Sequence, residues 1–321
     1  MENNIFTDKK FWLHAGRLYG RREPITADFF LTTVCNNKCR YCNYARLDGL
    51  PASGKFADKQ CLFQWFNRAR ELGVLGIILT GGGEPTLHPD FEEITSWLES
   101  CGIPYGVNSN WSYKSFRIRP RYLKVSLDSW DAAAYLAKRG VDLYDRVIEN
   151  LKTFCAEKTS TTRVGVQLLL EDAHEAEKFV EKASALPVDY ISIRPPESTG
   201  GRAVRWEDVL RTVNRLEALK ADCNRVIISP KFYQLLENPR PHVRGCPAAW
   251  MQLAINPDGG VMYCCQRPYD ICGHIMDPDI LHKKANFSCN YDRCDYPCRL
   301  SRYNDIMASH FSDGVADAEF I

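Results

Sequence analysis

The stretch that decides the fold is Cys35-Asn-Asn-Lys-Cys39-Arg-Tyr-Cys42, which directly follows the apolar run Asp28-Phe-Phe-Leu-Thr-Thr-Val34. The run predicts a buried strand, and the cysteines follow it with C-x3-C-x2-C spacing. A structural zinc site is closed by four protein ligands, whereas a site with three leaves one coordination position open. Three thiolates would likewise hold an iron–sulfur cube with one open iron. The alternatives are a zinc knuckle or three unrelated thiols.

A second segment, Gly81-Gly-Gly-Glu84-Pro85, ends the apolar run Leu75–Thr80. Alone, a glycine-rich turn after a strand is weak support for a binding site. Here it stands one predicted strand and one predicted helix after the cysteine segment, and this order makes the combination specific.

The two segments together resemble the signature of the radical S-adenosylmethionine (SAM) superfamily, with Tyr41 at its aromatic position. The resemblance implies that a [4Fe–4S] cluster is held by Cys35, Cys39 and Cys42. It also implies that the strand-end backbone and a Glu carboxylate hold the methionine amino group of SAM, a role that falls to Gly82, Gly83 and Glu84.

Short apolar runs alternate with helical patterns between residues 28 and 229. The predicted strands are Asp28–Thr32, Gly76–Thr80, Tyr105–Asn108, Leu123–Leu127, Val164–Leu170 and Tyr190–Arg194. Helical spacing is typical of the residues between them, and Leu210, Val213 and Leu216 predict a further helix face. Such alternation indicates parallel βαβ units, and six of them match the partial (β/α)6 barrel of the resembled superfamily. We therefore expect an N-terminal segment (1–27), an α/β barrel domain (28–229) and a cysteine-rich extension (230–321).

Polar residues follow several predicted strands, at the edge where ligands bind in parallel α/β folds. By resemblance, the ribose and carboxylate of SAM would be contacted by Asn108, Ser126, Asp128, Gln167 and Arg194. Each residue has an alternative role as a turn former or helix cap.

Cysteines gather again after residue 230, around the hairpin turn Asn256-Pro-Asp-Gly-Gly260. The spacing Cys246-x12-Gly259-x4-Cys264 resembles the SPASM and twitch extensions of the superfamily, which hold auxiliary [4Fe–4S] clusters. The match is partial and indicates one auxiliary cluster, with predicted ligands Cys246, Cys264, Cys294 and Cys298. Cys265 is an alternative to Cys264, while Cys272 and Cys289 are spare candidates. A zinc site or buried thiols would also account for this group.

Length, composition and net charge exclude few classes of protein. The 321 residues carry a formal net charge of +1, which does not indicate nucleic acid although a nucleotide or nucleic acid substrate stays possible. The sequence contains neither an apolar stretch long enough for a bilayer nor a signal peptide, so we expect a cytoplasmic protein without membrane contact. In reducing conditions, 14 cysteines are more plausible as metal ligands than as disulfides.

The resemblance implies reductive cleavage of SAM to a 5′-deoxyadenosyl radical, which removes a hydrogen atom from the substrate. An auxiliary cluster would then accept an electron, giving dehydrogenation or cross-linking of a small molecule, nucleotide or peptide. The electron donor would be of flavodoxin or ferredoxin type. Only 27 residues precede the first predicted strand, which weakens the peptide hypothesis unless a separate protein recognises the peptide. The alternatives are a redox-neutral isomerase or epimerase and a non-catalytic zinc-binding module.

Overall fold

A computed structural model describes residues 23–42, 44, 54–195, 206–237 and 246–287. The strands are β1 (Thr26–Phe30), β2 (Gly76–Thr80), β3 (Tyr105–Ser109), β4 (Tyr122–Ser126), β5 (Arg163–Leu169), β6 (Tyr190–Arg194), β7 (Val226–Ile228), β8 (Gln252–Ile255), β9 (Gly260–Met262) and β10 (Ile271–His274). The helices are α1 (Lys59–Glu71), α2 (Phe91–Ser100), α3 (Ala132–Arg139), α4 (Tyr144–Glu157), α5 (Ala173–Ser184), α6 (Trp206–Asp222), α7 (Lys231–Glu237) and α8 (Ile280–Ala285).

All ten strands form one sheet in the order β10-β9-β8-β1-β2-β3-β4-β5-β6-β7. Neighbours from β8 through β1 to β7 are parallel, while β9 and β10 continue the sheet in antiparallel pairing. The structure thus confirms the predicted α/β class with its parallel sheet, and it adds β7 and β8 to the six predicted parallel strands. The predicted boundary at residue 230 lies between β7 and β8, which belong to this same sheet.

The core lies between the sheet and its helices. In β1, Ala27 and Phe29 pack in the same buried cluster as the α1 residue Phe66, and the rings of Phe29 and Phe66 are 4.7 Å apart. The alternate β1 residues, Asp28 and Phe30, therefore lie on the opposite face of the sheet, because strand side chains alternate in direction. We call this opposite face the inner face.

Within the described ranges, no helix is both long and apolar enough to cross a bilayer.

Candidate functional site

The cysteine loop, residues 35–42, follows β1 at its carboxyl end and docks on the end of α3. The backbone N–H of Lys38 donates to the carbonyl of Arg139 at 2.8 Å. Gly140 ends α3 with a φ of +69°, and a Cβ at this position would lie 2.8 Å from the Lys38 carbonyl oxygen. A left-handed residue without a side chain is needed here, so that the helix end and the loop can meet.

The glycine-rich turn after β2 binds, through its backbone, the residues directly before the cysteine loop. The N–H of Gly83 donates to the Thr32 carbonyl at 3.0 Å, and that of Glu84 donates to the Val34 carbonyl at 2.8 Å. A Cβ on Gly83 would stand 2.2 Å from the Val34 oxygen. Glycine at position 83 therefore allows the two predicted cofactor segments to touch directly.

The Glu84 carboxylate is buried, with 3% of the residue exposed, and it accepts four hydrogen bonds. Oε1 accepts from Ser109 Oγ at 2.6 Å and from the hydroxyl and N–H of Thr86 at 2.7 and 3.1 Å. Oε2 accepts from the Asn110 N–H at 2.7 Å. Burial raises the pKa of Glu84, and the hydrogen bonds oppose that rise. The carboxylate thus joins the ends of β2 and β3, while its contact with the amino group of SAM stays a prediction.

Asp128 lies in the turn after β4 with a left-handed φ of +56° and is 1% exposed. Its Oδ2 accepts from Tyr41 Oη at 2.6 Å and from Arg139 Nη2 at 2.5 Å. Its Oδ1 accepts from the Leu169 N–H at 2.7 Å. Burial, and then the Asp128 charge, raise the pKa of Tyr41. This carboxylate therefore fixes the aromatic residue of the cysteine loop, and its predicted contact with SAM is not tested by these bonds.

Arg139 connects this ion pair to a cysteine. Its Nη1 donates to Cys39 Sγ at 3.2 Å, and its Nη2 also donates to the Ser126 carbonyl. Burial raises the pKa of Cys39, while the nearby guanidinium opposes the rise. Arg139 was not predicted from the sequence, because no motif distinguishes it among 41 lysines and arginines.

The donor set of the cysteine loop fits an anionic iron–sulfur cluster. Cys35, Cys39 and Cys42 carry free thiols on one loop at a strand end, and a guanidinium faces Cys39. Across the described ranges, no three His, Cys, Asp or Glu side chains converge closely enough to hold one metal ion. A cube binds each thiolate at a different iron, so its ligands stand apart.

Four predicted strand-end residues share the inner face. Each directly follows a residue of the buried cluster on the helix side, and these four are Asn108, Ser126, Gln167 and Arg194. Asn108 Oδ1 is buried and accepts no hydrogen bond within the described part of the chain. Gln167 Oε1 accepts from Arg194 Nη1 at 3.5 Å. Asn108 thus offers an unused acceptor to a ligand on this face.

The second cysteine group divides between two clusters of side chains. Cys246, Cys264 and Cys272 pack around Ala249 and Tyr263. Cys265 instead packs with the inner-face residue Phe30, in a cluster that Cys264 also borders. The predicted ligands Cys294 and Cys298 and the spare candidate Cys289 lie outside the described residues.

Comparison with known proteins agrees with this geometry and defines the class of the protein. Residues 29–183, just under half of the chain, match the Radical SAM superfamily, so this part of the chain is a radical SAM domain, whose cofactors are SAM and a [4Fe–4S] cluster.

Particular relatives resemble larger parts of the chain. Mycofactocin maturase MftC of Mycobacterium tuberculosis is 24% identical over 281 residues, which cover 82% of this chain and 69% of that protein. A probable GTP 3′,8-cyclase of Saccharolobus islandicus is 27% identical over 57% of this chain and 61% of its own length. SuiB of Streptococcus suis, solved with S-adenosylmethionine, has a TM-score of 0.61 at 18% identity over 84% of this chain. The chain spans 66% of SuiB, and the likeness shows a shared fold.

Proposed function

We propose that this radical SAM enzyme oxidises a peptide substrate and uses an auxiliary iron–sulfur cluster on the β8–β10 segment as electron acceptor. The observation that carries the proposal is a contact between Tyr44, just after the cysteine loop, and Cys265 of the second cysteine group. Tyr44, two residues after Cys42, donates from its hydroxyl to the Cys265 carbonyl at 2.5 Å, and its ring lies 5.4 Å from that of Phe30. A substrate radical formed beside the first cluster would thus have a second redox centre close by.

A peptide is the substrate class that the comparisons favour. MftC is named as a maturase, and SuiB has been solved bound to its precursor peptide SuiA, with a TM-score of 0.59 to this chain. The GTP 3′,8-cyclase keeps a nucleotide as the second possibility. Because the chain spans only part of each relative, the substrate class of this chain is proposed and is not taken over from the relatives.

The bound cofactors supply a 5′-deoxyadenosyl radical, and the chain positions what reacts with it. In the proposal, Cys35, Cys39 and Cys42 hold the first cluster, while the Gly82–Gly83 backbone, Asn108 and the Gln167–Arg194 pair bind SAM. Tyr41, Asp128 and Glu84 act indirectly, by holding other parts of the site in place, because their polar atoms bind other parts of the protein. A flavodoxin- or ferredoxin-type donor and a reducing, cytoplasmic location complete the proposal, in keeping with the free cysteines of the described ranges.

Formation of 5′-deoxyadenosine tests whether Cys35, Cys39 and Cys42 hold the cluster that cleaves SAM. Anaerobically reconstituted protein, given SAM and dithionite, should release 5′-deoxyadenosine and methionine. Cys39→Ala should abolish the release, because the cluster loses a ligand. Cys101→Ala is the matched control, since Cys101 is an exposed thiol that caps α2. Equal release by the two variants would overturn the assignment of the cluster.

The ratio of SAM consumed to product formed tests whether the reaction is an oxidation. With a peptide substrate, oxidation consumes one SAM for each product, and the product is two hydrogen atoms lighter. Product of unchanged mass with less than one SAM consumed would instead indicate an isomerase or epimerase. Mass spectrometry of the peptide together with quantified 5′-deoxyadenosine distinguishes these outcomes.

A further inference from the structure

Lys284, on α8, is a buried cation without a carboxylate partner among the described residues. Only 2% of the residue is exposed. Its Nζ donates to the carbonyls of Met262 and Tyr263 at 3.0 and 2.5 Å and lies 5.6 Å from the centre of the Tyr263 ring. An ammonium has three donors, so these carbonyls leave one for another acceptor. The neighbouring Lys283 differs, because it is 41% exposed and pairs with Asp277 and Asp279.

The ionisable groups that surround Lys284 are thiols, those of Cys246, Cys264, Cys265 and Cys272. Burial lowers the pKa of Lys284, and thiolates at these positions would raise it. Three of the thiols pack with Tyr263, whose carbonyl Lys284 binds, whereas Cys265 packs with Phe30.

A buried ammonium is unfavourable unless an anion balances it. Neutral thiols provide no such anion. Thiolates that ligate iron do, because metal ligation deprotonates the cysteine. The buried charge therefore matches an anionic metal–thiolate centre at this place.

We propose that Lys284 is the positioning residue and counter-charge of an auxiliary [4Fe–4S] cluster bound through Cys246, Cys264 and Cys272. The proposal rests on the auxiliary cluster of the proposed function, and it adds Cys272, on β10, to the predicted ligands Cys246 and Cys264. Cys265 is excluded from the ligand set, because its side chain packs on the inner face beside Phe30.

The test uses the full chain with Cys35, Cys39 and Cys42 all changed to Ala, so that any remaining iron belongs to the auxiliary site. This parent should bind about four irons after anaerobic reconstitution. Lys284→Met keeps the length of the side chain and removes its charge. Lys283→Met removes the same charge from the adjacent exposed residue and is the matched control. Iron content, the midpoint potential from an EPR-monitored titration and the melting temperature of the cluster-free protein are measured for each.

Lys284→Met should lose most of the iron, or retain a cluster whose midpoint potential is more negative than in Lys283→Met. The shift has this sign because a nearby positive charge stabilises the reduced, more negative cluster. The cluster-free Lys284→Met protein should melt no lower than its parent, because an uncompensated buried charge has been removed. Cys272→Ala should also lose iron, whereas Cys265→Ala should retain it.

Three results would overturn the inference. The first is equal iron and equal potential in the two lysine variants. The second is a lower melting temperature of cluster-free Lys284→Met, which would indicate a purely structural lysine. The third is a parent without iron. None of these three results bears on the first cluster. The protein with Cys35, Cys39 and Cys42 intact should still form 5′-deoxyadenosine, and this measurement separately tests the radical SAM assignment.

Discussion

Arg139 Nη1 lies 3.2 Å from Cys39 Sγ, although the two residues are 100 positions apart in the chain. The same guanidinium forms a buried ion pair with Asp128. Asp128 in turn accepts from Tyr41, between Cys39 and Cys42 in sequence. The end of α3 and the turn after β4 thus hold the cysteine loop from two sides.

Arg139→Met should destabilise the protein strongly. It leaves the Asp128 carboxylate buried without its cation, and such a loss costs about 3–5 kcal/mol. Urea unfolding of the cluster-free protein, followed by circular dichroism, measures the change. Arg146→Met, on the exposed side of α4, should stay within about 0.5 kcal/mol of the parent. Equal stability of the two variants would show that the ion pair does not hold the loop.

Two neighbouring glycines should respond differently to alanine. Gly83→Ala places a Cβ 2.2 Å from the Val34 carbonyl oxygen and should cost about 1–3 kcal/mol, because the backbone must move. In Gly82→Ala the nearest atoms to the new Cβ belong to the Tyr44 ring, at 3.3 Å, and this side chain needs to shift by only a few tenths of an ångström, so the variant should cost clearly less. The free energies of unfolding of the two cluster-free variants give the comparison. A Gly82 variant as unstable as the Gly83 variant would argue against the observed contact between the segments.

Glu84→Gln should lower the free energy of unfolding by an amount that depends on pH. The pKa of Glu84 in the folded protein lies above its ordinary value of 4.5, since burial disfavours the charged form. As the pH falls from 7 toward that value, the folded state binds the proton before the unfolded state does, so the wild type gains stability. The glutamine variant lacks this gain. The difference in unfolding free energy between the wild type and the variant should therefore grow as the pH falls, and a difference that shrinks would contradict the raised pKa.

Asn108→Leu should weaken SAM binding without destabilising the fold, because Asn108 Oδ1 accepts no hydrogen bond from any residue that the structure describes. Calorimetric titration of the cluster-loaded protein with SAM should give a higher Kd. Asn150→Leu is the converse control, since Asn150 Nδ2 donates to the Trp111 carbonyl at 3.0 Å. That variant should lose about 0.5–1.5 kcal/mol of stability and keep its Kd. An unchanged Kd for Asn108→Leu would remove this residue from the binding site.

Local patterns predicted most of the strands. β2 and β6 have the predicted bounds, and the other four predicted strands agree within two residues at each end. β7 was missed because its three residues are too short to show alternation. The pairing of β8 with β1 was missed because it joins segments more than 200 residues apart, and no local pattern reports that contact. On α6, Val213 and Leu216 are buried as predicted, whereas the predicted Leu210 is 47% exposed and Val209 is buried in its place.

The site residues likewise divide into those that a local sequence motif predicts and those that only the fold brings together. The cysteine spacing and the glycine-rich turn identified the loops, because both motifs are contiguous in sequence. Arg139 and Lys284 could not be found this way. Their importance comes from burial beside thiols that the fold brings from other elements.

The most direct test of the central claim is the EPR spectrum of the reduced protein with Cys246, Cys264 and Cys272 changed to Ala, recorded before and after SAM is added. If Cys35, Cys39 and Cys42 hold a cube with one open iron, SAM should bind that iron and shift the g values of the signal. A cluster signal that SAM leaves unchanged, or no cluster signal at all, would contradict the account.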